Sequence, residues 1–106
     1  MTTGRFTLGP TESDLVGHWV SIGGRTEGDA ICKRIERLVS EALELLARSR
    51  DGWETLYRDP ADGRLWERTY PNSGWHGGGP PRLRVIALTE AQSKYAQPWD
   101  HAGPEK

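Results

Sequence analysis

The sequence predicts a small α+β domain: a short antiparallel β-sheet with a central β-hairpin, one long amphipathic helix packed on a face, and a short C-terminal helix. Three observations carry that expectation. Apolar residues recur at three- and four-residue steps from Ile31 to Leu46. Two aromatic-rich runs flank the turn Asp59-Pro60-Ala61-Asp62-Gly63. Arg82-Leu83-Arg84-Val85-Ile86 then alternates polar and apolar residues, as a half-buried strand does. At 106 residues the chain matches one domain over 1–106, with an ordered core expected from about 7 to 96 and mobile tails on either side.

Taken in order, Met1 to Gly9 is expected to be a poorly ordered lead-in. Pro10-Thr11-Glu12-Ser13-Asp14 suits a helical turn, with Pro preset near its start and acids at its positive end. Leu15 to Ile22 reads as a first strand broken by Gly23-Gly24, and Gly23 to Gly28 as a plain connection. The helix follows, capped by Thr26 or Asp29 and ended by Gly52 in a left-handed conformation. Lys33, Arg34, Arg37, Glu41, Glu44 and Arg48 fall on its polar side, with Glu44 and Arg48 spaced for an i,i+4 ion pair. Cys32 lies beside the apolar stripe and reads as a small buried hydrophobe.

With Pro60 to Gly63 as the hairpin loop, Asp59 faces Arg64, Tyr57 faces Trp66 and Trp53 faces Tyr70. Four aromatics then share one face with Thr55 and Arg68, while Leu56, Leu65, Glu54, Arg58 and Glu67 share the other. Two readings stand side by side: a core beneath the helix, or an aromatic binding surface with Arg68 in its middle. Beyond Pro71 an irregular loop runs to Gly79, stiffened at its exit by Pro80-Pro81. Thr89 to Gln92 has the spacing of a capping box, opening a short helix that runs to about Ala96 before Pro98. The segment from Trp99 is expected to be a mobile tail unless Trp99 docks back.

Composition narrows the function classes. A formal net charge of −1 and a pI near 6.3 argue against a dedicated nucleic-acid or anionic-membrane binder. One Cys excludes an internal disulfide and a multi-cysteine zinc site. No run approaches the roughly 20 apolar residues of a membrane span, and Met1-Thr2-Thr3-Gly4-Arg5 lacks the apolar core of a signal peptide. A cytoplasmic protein without cofactor or metal is expected. His18 reads as a packed or rim histidine, and His18, His76 and His101 have no metal-ligand spacing.

His76-Gly77-Gly78-Gly79 copies the oxyanion-hole motif of lipases and esterases, yet the chain has no Gly-x-Ser-x-Gly nucleophile elbow. A tight loop needing positive φ explains the glycines better. Asp59 to Gly63 suggests a calcium loop, but alignment on its glycine puts Arg58 and Pro60 at ligand positions. Arginines interleaved with Trp and Tyr could track a single nucleic-acid strand, against which stand the acids on the same strands. A protein-binding surface accounts better for Trp75 and His76 in a glycine-rich loop closed by proline, since aromatics and Arg dominate binding hot spots.

The residues also carry a family resemblance. It begins with Thr7-Leu8, Pro10, Glu12, Leu15-Val16-Gly17 and Trp19. It continues through Asp29-Ala30, Lys33-Arg34-Ile35 and the run Asp51-Gly52-Trp53-Glu54 to Trp66-Glu67. It closes with Tyr70-Pro71 and His76-Gly77-Gly78-Gly79-Pro80-Pro81. Together these resemble the immunity protein 27 family of bacterial polymorphic-toxin systems, from about Thr7 to Tyr95. The resemblance implies an α+β protein encoded beside a secreted toxin, which it binds and neutralises to protect the producing cell. It implies no catalytic residue and no cofactor. The contacts expected on the partner are Trp75, His76, Gly77 and Gly78 in the loop, with Arg64, Glu67 and Arg68 on the hairpin. A small hydrolase using His76 to Gly79, and a single-stranded nucleic-acid adaptor, are the alternatives.

Overall fold

A computed structural model describes residues 8–71, 79–95 and 99. The hairpin sets the frame. Strands β5 (Thr55–Arg58) and β6 (Leu65–Thr69) pair antiparallel with Tyr57 opposite Trp66 and Thr55 opposite Arg68, the register expected from the turn. The turn closes through Gly63 N–H to the Asp59 carbonyl (2.7 Å), with Gly63 at φ 80°. Asp59 also accepts from Ala61 N–H (2.9 Å) and Asp62 accepts from Arg64 N–H (3.0 Å). Both carboxylates are therefore occupied in shaping the loop. Trp53 meets Tyr70 edge-on with centroids 5.7 Å apart.

The other strands are β1 (Asp14–Val16), β2 (Trp19–Ile22), β3 (Arg25–Gly28), β4 (Glu44–Arg48) and β7 (Arg82–Val85). Five form an antiparallel sheet in the order β1-β7-β6-β5-β4, and β2 and β3 form a separate hairpin. Helix α1 (Ala30–Arg37) continues through a wider π-helical turn (Leu38–Ala42), and α2 (Leu88–Lys94) follows β7. The expected α+β class, central hairpin and helix pair are all present.

The helices take opposite faces. Ile35 and Leu38 pack with Leu15, Leu83, Tyr57 and Trp66 on one side. Leu56 and Ile86 pack with Ala91, Tyr95 and Trp99 on the other. The aromatic face is thus core beneath α1 at Tyr57 and Trp66, although Trp53 at its end stays 48% exposed. Trp99 does dock: it is buried and its indole N–H donates to the Tyr95 carbonyl at 3.1 Å. Of the expected lead-in, Leu8 is buried in the α1-side core and Gly9 N–H donates to the Glu12 carboxylate at 2.8 Å, so these two residues are part of the packed domain; residues 1–7 lie outside the described residues.

Four expectations are corrected. The helix does not run to Gly52. Leu43 turns extended (φ −103°, ψ 150°) and its N–H bonds back to the Leu38 carbonyl at 2.9 Å, closing the wide turn. Glu44 to Arg48 instead hydrogen-bond along β5, so Glu44 pairs with Arg58 (2.8 Å) and not with Arg48. Gly52 does adopt positive φ, but in the connection from β4 to β5. Next, Leu15 to Ile22 is two strands in two sheets. A Cβ on Gly17 would lie 2.5 Å from Cys32 Sγ and 2.8 Å from the Pro81 carbonyl oxygen, so only glycine lets the chain pass there. Third, Gly23 to Gly28 is no plain connection: Gly23 and Gly24 (φ 59° and 83°) make a two-residue turn and Arg25 to Gly28 return as β3. Finally, α2 starts at Leu88 behind Ala87 and carries no side-chain cap, so Thr89 caps nothing.

Candidate functional site

Alternation along β6 sorts the hairpin candidates onto opposite faces of the sheet. Arg64 and Arg68 share the α1 side with Trp66, and Glu67 points to the α2 side. The structure therefore does not bring the three together.

Glu67 is fully buried. Its carboxylate accepts from Tyr95 Oη (2.7 Å) and Arg84 Nη2 (2.9 Å), and Lys94 Nζ lies 2.6 Å away. Burial pushes its pKa up, but the bonds from Lys94 and Tyr95 outweigh burial and hold it below the usual carboxylate range. Burial, together with the hydrogen bond to the same carboxylate, raises the Tyr95 phenol far above its ordinary value. Glu67 is a hub that fastens α2 to the sheet, and its side chain has no surface to offer a partner.

Arg64 is a clamp. Its guanidinium donates to the carbonyls of Glu12 (2.6 Å) and Gly9 (2.9 Å), pairs with Asp62 (2.7 Å) and lies over the Trp66 ring at 5.0 Å. It ties the segment before β1 to the hairpin. Glu12 in the same segment accepts two 2.7 Å bonds from Arg34 on α1. Those bonds hold the Glu12 carboxyl down at about 2.

Arg68 differs from both. It lies between Tyr57 and Tyr70, 5.9 and 5.7 Å from their ring centroids, and its buried Nε has no hydrogen-bond partner among the described residues. It lines a cleft of about 300 Å³ with Trp19, Lys33, Tyr70, Gly79 and Pro81. Trp19 also walls a second cleft of about 300 Å³, shared with Val16, His18, Pro71, Pro80 and Pro81. Asp29 positions this corner: it caps α1 by accepting from Cys32 N–H (2.9 Å), and its own N–H reaches the His18 carbonyl (2.9 Å). The exposed His18 ring stands 3.6 Å from the Asp29 carboxylate, a rim position as expected. Cys32 is buried, and burial pushes its thiol up, which suits a packing role over a nucleophilic one.

The remaining candidates, Trp75, His76, Gly77 and Gly78, lie outside the described residues. Their flanks do not, for Pro71 lines the second cleft, Gly79 the first, and Pro81 both. Sequence reasoning missed Trp19 and Tyr70 as walls of these clefts. The Gly23-Gly24 pair was the available signal, because a hairpin there leaves Trp19, 38% exposed, on a strand outside the main sheet.

Among the described residues no group of three His, Cys, Asp or Glu could hold a metal ion, and no helix is long and apolar enough to cross a membrane. Clefts walled by Trp19, with Arg68 and Tyr70 in one of them, present the residue types that dominate protein-binding surfaces. The comparison with family models makes that specific: the chain belongs to the immunity protein 27 family, whose model matches residues 21–87. It is accordingly an immunity protein of a polymorphic toxin system, a non-enzymatic inhibitor that neutralises a cognate toxin. That membership removes the hydrolase alternative. The match runs from within β2 through β7; it takes in the α1, Arg68 and Tyr70 walls of the first cleft and Pro71, Pro80 and Pro81 of the second, and begins after Trp19. No curated protein and no solved structure matches the chain.

Proposed function

We propose that this chain, in the cytoplasm of the producing cell, inhibits its toxin by occupying the toxin's surface, with the contact centred on the Trp19 corner. The loop Trp75-His76-Gly77-Gly78 would form one half of that surface and the two clefts with Arg68 the other. The observation that supports it is the position of Trp19: part-exposed, it lines two clefts that each also take in residues flanking the loop, Gly79 and Pro81 in one and Pro71, Pro80 and Pro81 in the other. Trp75 fills a pocket on the toxin, and the charged groups set register and partner choice. Arg64 and Glu67 act behind this surface by holding the hairpin and α2 in place. Complexes of this kind bury about 1,200–2,000 Å² in total.

The test is Trp75→Ala, read by calorimetric titration with the toxic C-terminal domain encoded beside this chain and by thermal melting. A hot-spot aromatic costs about 2 kcal/mol or more when truncated, roughly a 30-fold loss of affinity. The melting temperature stays within the experimental spread. Equal losses of affinity and of fold stability would show instead that Trp75 is core.

A further inference from the structure

Six arginines are partly buried among the described residues, and five of them have a carboxylate partner. Arg34 pairs with Glu12, Arg58 with Glu44, Arg64 with Asp62, Arg82 with Asp14 and Arg84 with Glu67, all within 2.9 Å. Arg68 is the exception. It has no carboxylate partner among the described residues, and its Nε is buried without an acceptor. Arginine does not relieve such a situation by losing its proton. Removing a cation from water without a counter-charge is unfavourable, and the π-faces of Tyr57 and Tyr70 offset only part of that cost.

From this we infer that the missing counter-charge arrives with the partner, at the part-exposed side chain where it lines the cleft and not at the enclosed Nε: Arg68 is the docking point for an acidic side chain, Asp or Glu, carried by the cognate toxin. The inference rests on the toxin-binding role proposed above and adds the chemistry of the contact. The cleft suits that occupant. Lys33 on the α1 side of the cleft is 3.7 Å from Glu27, and Glu36, the one carboxylate in the lining, forms no ion pair with Arg68. Arg68 is the cation of this lining that has no ion-pair partner among the described residues. Trp19, Tyr70 and Pro81 form walls of low polarity, against which a guanidinium–carboxylate pair is stronger than in open water. By contrast, the arginines of the 460 Å³ cleft near Trp99, Arg58 and Arg64, are both committed to carboxylates of this chain.

The experiment is a calorimetric titration of the adjacent toxin domain with wild-type chain, Arg68→Gln and Arg68→Lys, alongside melting curves of the free proteins. Losing one partner of a desolvated charge pair weakens binding by about 30-fold or more, so Arg68→Gln is expected to bind at least that much more weakly. Arg68→Lys retains part of the affinity, and neither free variant melts lower than wild type by a comparable margin. The second arm leaves this chain untouched. Each Asp and Glu of the toxin domain is changed to its amide, and one change is expected to weaken wild-type binding strongly while adding nothing in the Arg68→Gln background. Full affinity in Arg68→Gln, or additive losses for every toxin acid, overturns the inference while leaving the inhibitory role intact. Failure of the wild-type chain to bind the domain at all overturns the role itself, and the acidic contact with it.

Discussion

The hub at Glu67 gives the sharpest test of how the two faces are joined. Glu67→Gln conserves volume, so no cavity contributes and the loss reads the charge itself. The native carboxylate receives Tyr95, Arg84 and Lys94 within 2.9 Å, and charge-assisted hydrogen bonds contribute roughly 1.5–3 kcal/mol each. The loss is smaller than their sum. Arg84 and Lys94 are about 30% exposed and keep second partners, Glu90 at 3.1 Å and Glu54 at 2.9 Å. Tyr95 can still donate to the amide oxygen, but the amide NH₂ now faces cations. A net loss of about 2 kcal/mol follows, which lowers the melting midpoint of a domain this size by roughly 8–16 °C. The sign with pH is fixed too. Because the folded carboxyl sits below its ordinary value of 4.5, its contribution is complete above that pH and declines as pH falls through the folded value. Melting curves of both proteins from neutral to acid pH should therefore converge on acidification. An unchanged midpoint at neutral pH, or a gap that widens in acid, refutes the hub. Toxin affinity should not change, since the side chain is internal.

Two further outcomes are expected. Gly17→Ala places a methyl against Cys32 Sγ and the Pro81 carbonyl that Gly17 N–H itself bonds at 2.9 Å, costing about 1–3 kcal/mol in urea unfolding. Adding Cys32→Ala should recover only part of it, because the carbonyl remains; complete recovery contradicts the packing described. Glu12→Gln should lose about 1 kcal/mol at neutral pH, a value discounted for the partial exposure of the Arg34 pair. The difference from wild type is present above pH 4.5 and disappears as pH falls through about 2; a pH-independent difference shows that the ion pair is not its source.

Much of the fold is legible in the chain because local signals agree there with the global structure. Pro60 and Gly63 fix the turn, and the turn fixes the Tyr57–Trp66 register; the face that α1 covers is not legible there, because both faces carry apolar residues and both are packed by a helix. Asp29 is a sound cap for the same reason. Glu44 to Arg48 is not legible, since Leu43, Leu45 and Leu46 satisfy a helical period as well as a strand. Pairing with β5 decides, and the irregular register between Leu45 and Ala47 blurs any alternation. Arg25 to Gly28 escapes for another cause: β3 has no apolar alternation, because both faces of its hairpin are largely open. At the candidate site, Arg68 is visible in sequence as the centre of an aromatic face. Its lack of a partner is not, because that depends on where every other carboxylate finishes. Glu67 reads as surface in sequence and is interior because α2 folds over it.

The central claim is inhibition by occupancy, and titrating toxin activity with this chain measures it most directly. Activity should fall linearly to zero at one chain per toxin domain, with both proteins recovered at unchanged mass from the complex. Inactivation by substoichiometric amounts, a toxin altered in mass, or a toxin fully active at saturating chain would contradict it.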